Sequence, residues 1–243
     1  MASKLVTHKI KKDSSKNAAL TKKQTALLLI SGGIDSPVAG KIAQKNEFVL
    51  QAIHFSQQPF TDDTPEKKSL ALCKKLGIAE MIVVEGGEEL KEIADNTFRE
   101  YYFVLMKRFM MKVSEKIAAQ KECEFLVTGE SMGQVSSQTT SNLDTINQAT
   151  KIEILRPLLF LNKQEITDIS VKEGFFLTSK GPEMCDALAS GSPKTITSIE
   201  KVIFEEKKCK MEELVQRASK KLRIEQTKNA PEVVLADEEK ICK

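Results

Sequence analysis

The sequence predicts an α/β protein, a doubly wound parallel sheet with helices on both faces. Three observations carry that expectation. Leu27, Leu28, Leu29 and Ile30 form an apolar run of strand length, the pattern of a strand buried on both faces. Strand-like and helix-like segments then alternate along the chain at the intervals that parallel crossovers need. Each polar motif directly follows a strand, so the motifs should gather on the rim at the carboxyl ends of the strands, where such folds bind ligands.

The elements follow in order. After the first strand, Ser31-Gly32-Gly33 makes a turn and a helix runs from about Ser36 to Lys45, with Pro37 tolerated in its first turn. Phe48–Phe55 reads as the second strand, and Gln57–Asp63 as a polar loop containing Pro59. Thr64–Leu76 has helical spacing and stops at Gly77. Ala79–Val84 is the third strand. Gly86-Gly87 breaks it, and a long helical region continues to Lys121, its apolar side formed by Phe103, Leu105, Met106, Phe109, Met110 and Val113. Glu124–Thr128 is the fourth strand and Lys151–Leu155 a fifth. Asn162 with Glu165 three positions later makes a capping box for the next helix, which ends before Gly174. Thr195–Ile224 reads as one or two charged amphipathic helices.

The expected organisation is therefore a basic flexible arm over residues 1–24, the α/β domain over 25–195, a helical extension over 196–225 and a frayed tail over 226–243. The chain of 243 residues is 41% hydrophobic and 29% charged, enough to bury one α/β core with appendages. No apolar run reaches bilayer length, and the Lys-rich start lacks the apolar stretch of a secretory signal. Five scattered cysteines without a CxxC pair give neither a disulfide framework nor a zinc knuckle, so the expected compartment is the reducing cytoplasm. The net charge of +3 conceals an arm of about +6 within residues 1–25. That arm suits either a nucleic-acid backbone or simple solubilisation.

The segment Leu27–Gly40 concentrates groups that hold a polyphosphate. Gly32 and Gly33 allow the main chain to approach a ligand closely, while Ser31 and Ser36 contribute hydroxyls. The start of the following helix points unpaired N–H groups at an anion. Asp35, a carboxylate among anion-binding groups, makes sense as a Mg²⁺ contact. This is neither the GxxxxGK[ST] nor the GxGxxG pattern.

A second motif, TGESMGQVSSQT, begins at Thr128 and offers Glu130, Ser131, Gln134 and Gln138 as donors and acceptors. A third, Gly181 to Asp186, places Cys185 in a Gly/Pro-containing loop, with Glu183 and Asp186 opposing a thiolate and Lys180 and Lys194 nearby in sequence. His54 ends a strand, as a base or as a neutral imidazole beside an adenine pocket. Arg156 suits an anion or a structural ion pair. Arg108, beside Lys107, is either solvated or reaches the phosphates.

SGGIDS resembles the pyrophosphate loop, SGGxDS, of the ATP pyrophosphatases. Together with AIHF, MKRFMM, TGESMGQVSSQT, Ile146-Asn147 before LRPL, NKQEI, and the Pro-Glu-x-Cys loop before Pro193-Lys194-Thr195, it resembles the catalytic half of the tRNA 4-thiouridine synthetase (ThiI-type) family from about Leu27 to Thr195. The resemblance implies a sheet of the adenine-nucleotide alpha hydrolase (PP-loop ATP pyrophosphatase) type. It implies that ATP adenylates the C4 oxygen of a tRNA uridine and that a persulfide on a cysteine then replaces AMP with sulfur. By position, Leu29, Ile30, His54, Phe55, Gly129 and Gln138 resemble the family's ATP contacts. Ser31, Gly32, Gly33, Asp35 and Ser36 match its pyrophosphate loop, and Lys107-Arg108 stand where the family usually has Arg-Arg. Cys185 matches the cysteine needed for sulfur transfer.

The implied cofactors are ATP, Mg²⁺ at Asp35 and the persulfide sulfur on Cys185. The implied partners are tRNA, a separate sulfur donor (a cysteine desulfurase or rhodanese-like protein) and a THUMP-bearing RNA-binding partner, because the basic arm stands where the family carries its ferredoxin-like and THUMP domains. A homodimer is compatible with this reading. Sulfur delivery for the thiamine thiazole, another ATP-dependent reaction such as amidation, and a non-catalytic nucleotide-binding subunit stay open as alternatives.

Overall fold

The computed structural model describes residues 23–132, 138–180, 188 and 194–231. Its sheet has six strands in the order β5-β4-β1-β2-β3-β6. The strands are β1 (Thr25–Leu29), β2 (Val49–Ser56), β3 (Glu80–Glu85), β4 (Phe125–Val127), β5 (Glu153–Leu155) and β6 (Leu222–Gln226). The first five are parallel, and β6 joins β3 antiparallel with Val83 opposite Arg223.

The parallel arrangement follows from the crossovers: α1 (Asp35–Lys45) links β1 to β2, and α2 (Thr64–Lys75) links β2 to β3. The path to β4 runs through α3 (Gly87–Asn96), a 3-10 turn (Arg99–Tyr101) and α4 (Tyr102–Gln120). The long helical region expected after Gly87 is thus two helices, broken where Thr97 and Phe98 turn extended. Beyond β4 come α5 (Thr140–Asn147), α6 (Lys163–Lys172), the short α7 (Phe176–Ser179), α8 (Ile199–Lys208) and α9 (Met211–Ala218).

Alternate residues of each strand feed opposite cores. Leu27, Ile53, Ile82, Val84 and Leu126 pack with α3, α4, α8 and α9. Ala26, Leu28, Ala52, Met81, Val83 and Val127 pack with α1, α2, α6 and Phe175. The period of two in side-chain direction produces this double winding from near-continuous apolar strands. The Asn162–Glu165 capping box is formed at the start of α6.

Two expectations about the C-terminal region need correction. The stretch read as helical to residue 225 holds α8 and α9 but ends in β6, and residues 226–229 finish that strand and form a 3-10 turn rather than a frayed end. Thr227 is buried, its hydroxyl donating to the Ile78 carbonyl at 2.8 Å and its amide to that of Ala79 at 3.0 Å. The charged alternation Arg223-Ile224-Glu225 suits an edge strand, where Arg223 reaches Glu66 and Glu85. The arm up to residue 22 and the tail from 232 lie outside the described residues, as does Cys185.

Candidate nucleotide site

From β1 the chain winds outward through β2 and β3 on one side, then returns to place β4 and β5 on the other. The gap between the carboxyl ends of β1 and β4 is therefore the topological switch point, the place where open α/β sheets bind ligands. Ser31 to Ser36 leave β1 at this point. Gly32 has φ +82°, and a Cβ there would lie 2.8 Å from the Pro65 carbonyl oxygen, so only glycine fits both the conformation and the space. The Ser31 amide donates to Ser36 Oγ at 3.2 Å, which curls the loop over the start of α1. No side chain caps α1 from its N-cap, Ile34, and Asp35 is the acidic residue of its first turn. Main-chain donors are thus presented beside one carboxylate.

The TGES segment forms the opposite wall. Gly129 presses on the loop: a Cβ there would meet the Ser36 amide nitrogen at 2.7 Å. Glu130 is buried and paired with Lys107 Nζ at 2.6 Å and Arg156 Nε at 2.7 Å. Burial alone would raise its pKa, but these two cations hold it down at about 2. Arg156 also donates to Asn147 Oδ1 at 2.7 Å, while its Nη2 is buried without a partner among the described residues. Gln138 Oε1 accepts from the Ser131 amide at 3.0 Å, tying the far end of the motif back to its start. Residues 133–137 between them lie outside the described residues.

His54 is buried at the end of β2, its Nδ1 2.9 Å from the Ile30 carbonyl oxygen and 3.1 Å from Ser69 Oγ. A carbonyl only accepts, so Nδ1 carries the proton and Nε2 is the bare nitrogen. Burial lowers its pKa, which keeps the ring neutral. The neighbouring Phe55 ring stacks edge-on with Phe109 in the core, at 6.4 Å between centroids, and Leu29 packs partly buried against the same core.

The adjacent cations Lys107 and Arg108 diverge, as neighbours on a helix must, by about 100°. Lys107 faces Glu130. Arg108 is buried against the other side, donating through Nε to Glu206 at 2.8 Å, through Nη2 to the same carboxylate at 3.2 Å, and through Nη1 to the Thr145 carbonyl. This occupies its guanidinium in an ion pair between α4 and α8, which corrects the expectation that Arg108 contacts the phosphates.

Sequence reasoning passed over two neighbours of the loop. Lys68 is buried on α2 with its Cβ 3.2 Å from where a Gly32 Cβ would be. Ser179, ending α7, donates to the Gly33 carbonyl at 3.3 Å. A lysine within a charge run and a serine outside any motif give no sequence signal; only tertiary packing brings them here. Among the described residues no group of three or more His, Cys, Asp or Glu side chains gathers to hold a metal ion. Asp35, the acidic residue in the first turn of α1, is of the carboxylate type that in nucleotide sites shares Mg²⁺ with phosphate oxygens.

A family model described as "Thiamine biosynthesis protein (ThiI)" matches residues 21–211. The chain belongs to the ThiI family. Curated ThiI-like relatives include a probable tRNA sulfurtransferase of Alkaliphilus oremlandii, 39% identical over 206 residues, covering 82% of this chain and 53% of the relative. Another, of Oceanobacillus iheyensis, is 40% identical over 194 residues, covering 74% and 47%. The chain spans about half the length of the curated relatives it matches. A solved 4-thiouridine synthetase, in complex with RNA and with bound ATP, superposes with a TM-score of 0.77 at 29% identity, covering 83% of this chain and 55% of that one. The NMN synthetase of Francisella tularensis shares the fold, with a TM-score of 0.51 at 18% identity. Among the described residues no helix is long and apolar enough to cross a membrane.

Proposed function

We propose that this chain is the catalytic part of an ATP-dependent tRNA sulfurtransferase, which adenylates a uridine at its C4 oxygen and exchanges that oxygen for sulfur. One contact carries the reading. Ser179 on the Gly33 carbonyl roots the chain leading to Cys185 on the pyrophosphate loop itself, and six residues can extend by about 20 Å. The relatives' names and the RNA- and ATP-bound neighbour support the same acceptor and the same nucleotide.

In this mechanism the Ser31–Ser36 loop and the α1 amides bind the β- and γ-phosphates of ATP. His54 Nε2, Leu29, Ile30 and Phe55 line the adenosine side, and Gly129 and Gln138 close the wall opposite. The uridine C4 oxygen attacks the α-phosphorus as the bond to pyrophosphate breaks and the N3 proton is lost. Loop donors, Lys107 and Lys68 stabilise charge on the departing pyrophosphate. Mg²⁺ held by Asp35 would supply further charge neutralisation there. The outer sulfur of a Cys185 persulfide then attacks C4 and AMP leaves. An external thiol reduces the resulting S–S bond and leaves the sulfur on C4.

The described cysteines suit no part of that chemistry. Cys73, Cys123 and Cys209 are all buried, and burial pushes their thiols up to about 12, 11 and 11. A cysteine desulfurase or rhodanese-like protein recharges Cys185, and a THUMP-bearing partner presents the tRNA, in the cytoplasm. The family's thiamine description favours a second acceptor, a thiazole precursor served by the same persulfide. Incubation with ATP, a sulfur donor and either unmodified tRNA or a thiazole-forming system separates the two. 4-Thiouridine, read by its near-ultraviolet absorbance and by nucleoside mass spectrometry, supports the first. Pyrophosphate release that tRNA fails to stimulate contradicts it.

A further inference from the structure

Helix α8 carries an outward face on which aromatic and basic groups are interleaved. Phe204 is 59% exposed, and Phe98, just before the 3-10 turn that leads into α4, is 62% exposed. The Lys208 ammonium lies over both rings, 4.1 Å from the Phe98 centroid and 4.8 Å from that of Phe204. Helical spacing sets Lys201, Lys207 and Lys208 three or four residues from Phe204, and Arg99 adjoins Phe98; all four are exposed. The acidic residues of α8 mostly turn inward. Glu205 binds Lys208 and the Phe98 amide, and Glu206 binds Arg108, so Glu200 is the exposed acid of the helix.

The arrangement argues against a protein partner. Protein interfaces place an apolar centre inside a polar rim and are poor in lysine at that centre. Here an ammonium sits between the two rings. A polyanion whose units also have flat π faces fits both components, since single-stranded nucleic acid stacks its bases on exposed aromatics while cations meet its phosphates. The face is linked to segments that the proposed site uses. Glu100, two residues from Phe98, binds Lys194 through main chain and side chain, and Lys107 follows Tyr102 by about 8 Å along α4.

We propose that Phe98 and Phe204, with Arg99, Lys201, Lys207 and Lys208, form a docking surface for an unpaired segment of the acceptor RNA. This rests on the reading of RNA as the acceptor. Bases stack on the open faces of the two rings, and the lysines follow the backbone toward the site.

The chain has no tryptophan, so Phe204→Trp creates a single emitter on this face. A twelve-residue oligouridylate and an unmodified tRNA transcript should each quench it, whereas ATP should not. The Phe98→Ala/Phe204→Ala variant should bind both RNAs about tenfold or more weakly. Lys201→Glu/Lys207→Glu should weaken binding and flatten its salt dependence. Affinity for ATP should be unchanged in both. An emission indifferent to RNA, or RNA affinities within about twofold of the parent in both variants, overturns the proposal. Loss of 4-thiouridine with RNA affinity intact also overturns it, by assigning the face to a protein partner. RNA bound here by a protein that makes no 4-thiouridine would retain the surface and reject the reaction.

Discussion

Gly129 and Asp35 are packed main chain to main chain: a Cβ on Gly129 would stand 2.8 Å from the Asp35 carbonyl carbon. This contact joins the turn after β4 to the turn after β1 across the switch point, and it makes the two motifs facing walls of a single site. Gly129→Ala must therefore displace either the loop or β4. Overpacking of this kind costs about 1–3 kcal/mol. The expected result is a melting temperature lower by several degrees with ATP affinity reduced about tenfold or more, measured by thermal unfolding and calorimetric titration.

Glu130 offers a pH test. With its pKa held at about 2, the folded protein keeps this carboxylate ionised where the unfolded chain, near 4.5, takes up a proton. Its contribution is complete above pH ~4.5, declines as pH falls toward ~2, and amounts to roughly 3 kcal/mol at neutral pH. Glu130→Gln leaves Lys107 and Arg156 without their buried partner, at a cost of about 3–5 kcal/mol. Urea unfolding should show the gap between parent and variant at pH 7, narrowing below pH ~4.5.

His54 titrates in the opposite sense. Its lowered pKa keeps it neutral in the folded protein at pH values where the unfolded chain is protonated. Stability from this group is unaffected above pH ~6.5 and falls as pH drops from there to the folded pKa. The chain has two histidines, so imidazole proton NMR resolves them simply, and loss of one resonance in His54→Gln assigns it. The assigned resonance should still report the neutral ring at pH 6.5.

Lys107 and Arg108 should separate function from stability. Arg108→Lys breaks the bidentate pair with Glu206 and should destabilise the fold by about 3 kcal/mol with ATP affinity unchanged. Lys107→Met should slow pyrophosphate release at least tenfold. Chemical denaturation and a pyrophosphate assay on both variants check the contrast.

The parallel core was legible because Leu27–Ile30 and the strands after it are apolar enough to admit only a sheet covered on both faces. The SGGIDS and TGES motifs placed themselves once the strands were known, since they follow the ends of β1 and β4. The Cys185 loop instead follows α7 and lies outside the described residues. β6 was not legible: Leu222–Gln226 alternates long charged residues that favour helix locally, and its partner β3 lies some 140 residues away. Arg108 was ambiguous because a one-residue step on a helix decides between the site and the core. Lys68 carries no motif at all and reaches the loop only through the docking of α2 under Gly32.

The central claim is that the β1–α1 corner activates the acceptor while Cys185 supplies the sulfur. Its most direct test measures pyrophosphate and 4-thiouridine together in one reaction with tRNA, ATP and a sulfur donor. Cys185→Ser should keep the tRNA-stimulated burst of pyrophosphate and make no 4-thiouridine, and Asp35→Ala should lose both. Undiminished 4-thiouridine from Cys185→Ser would contradict the account.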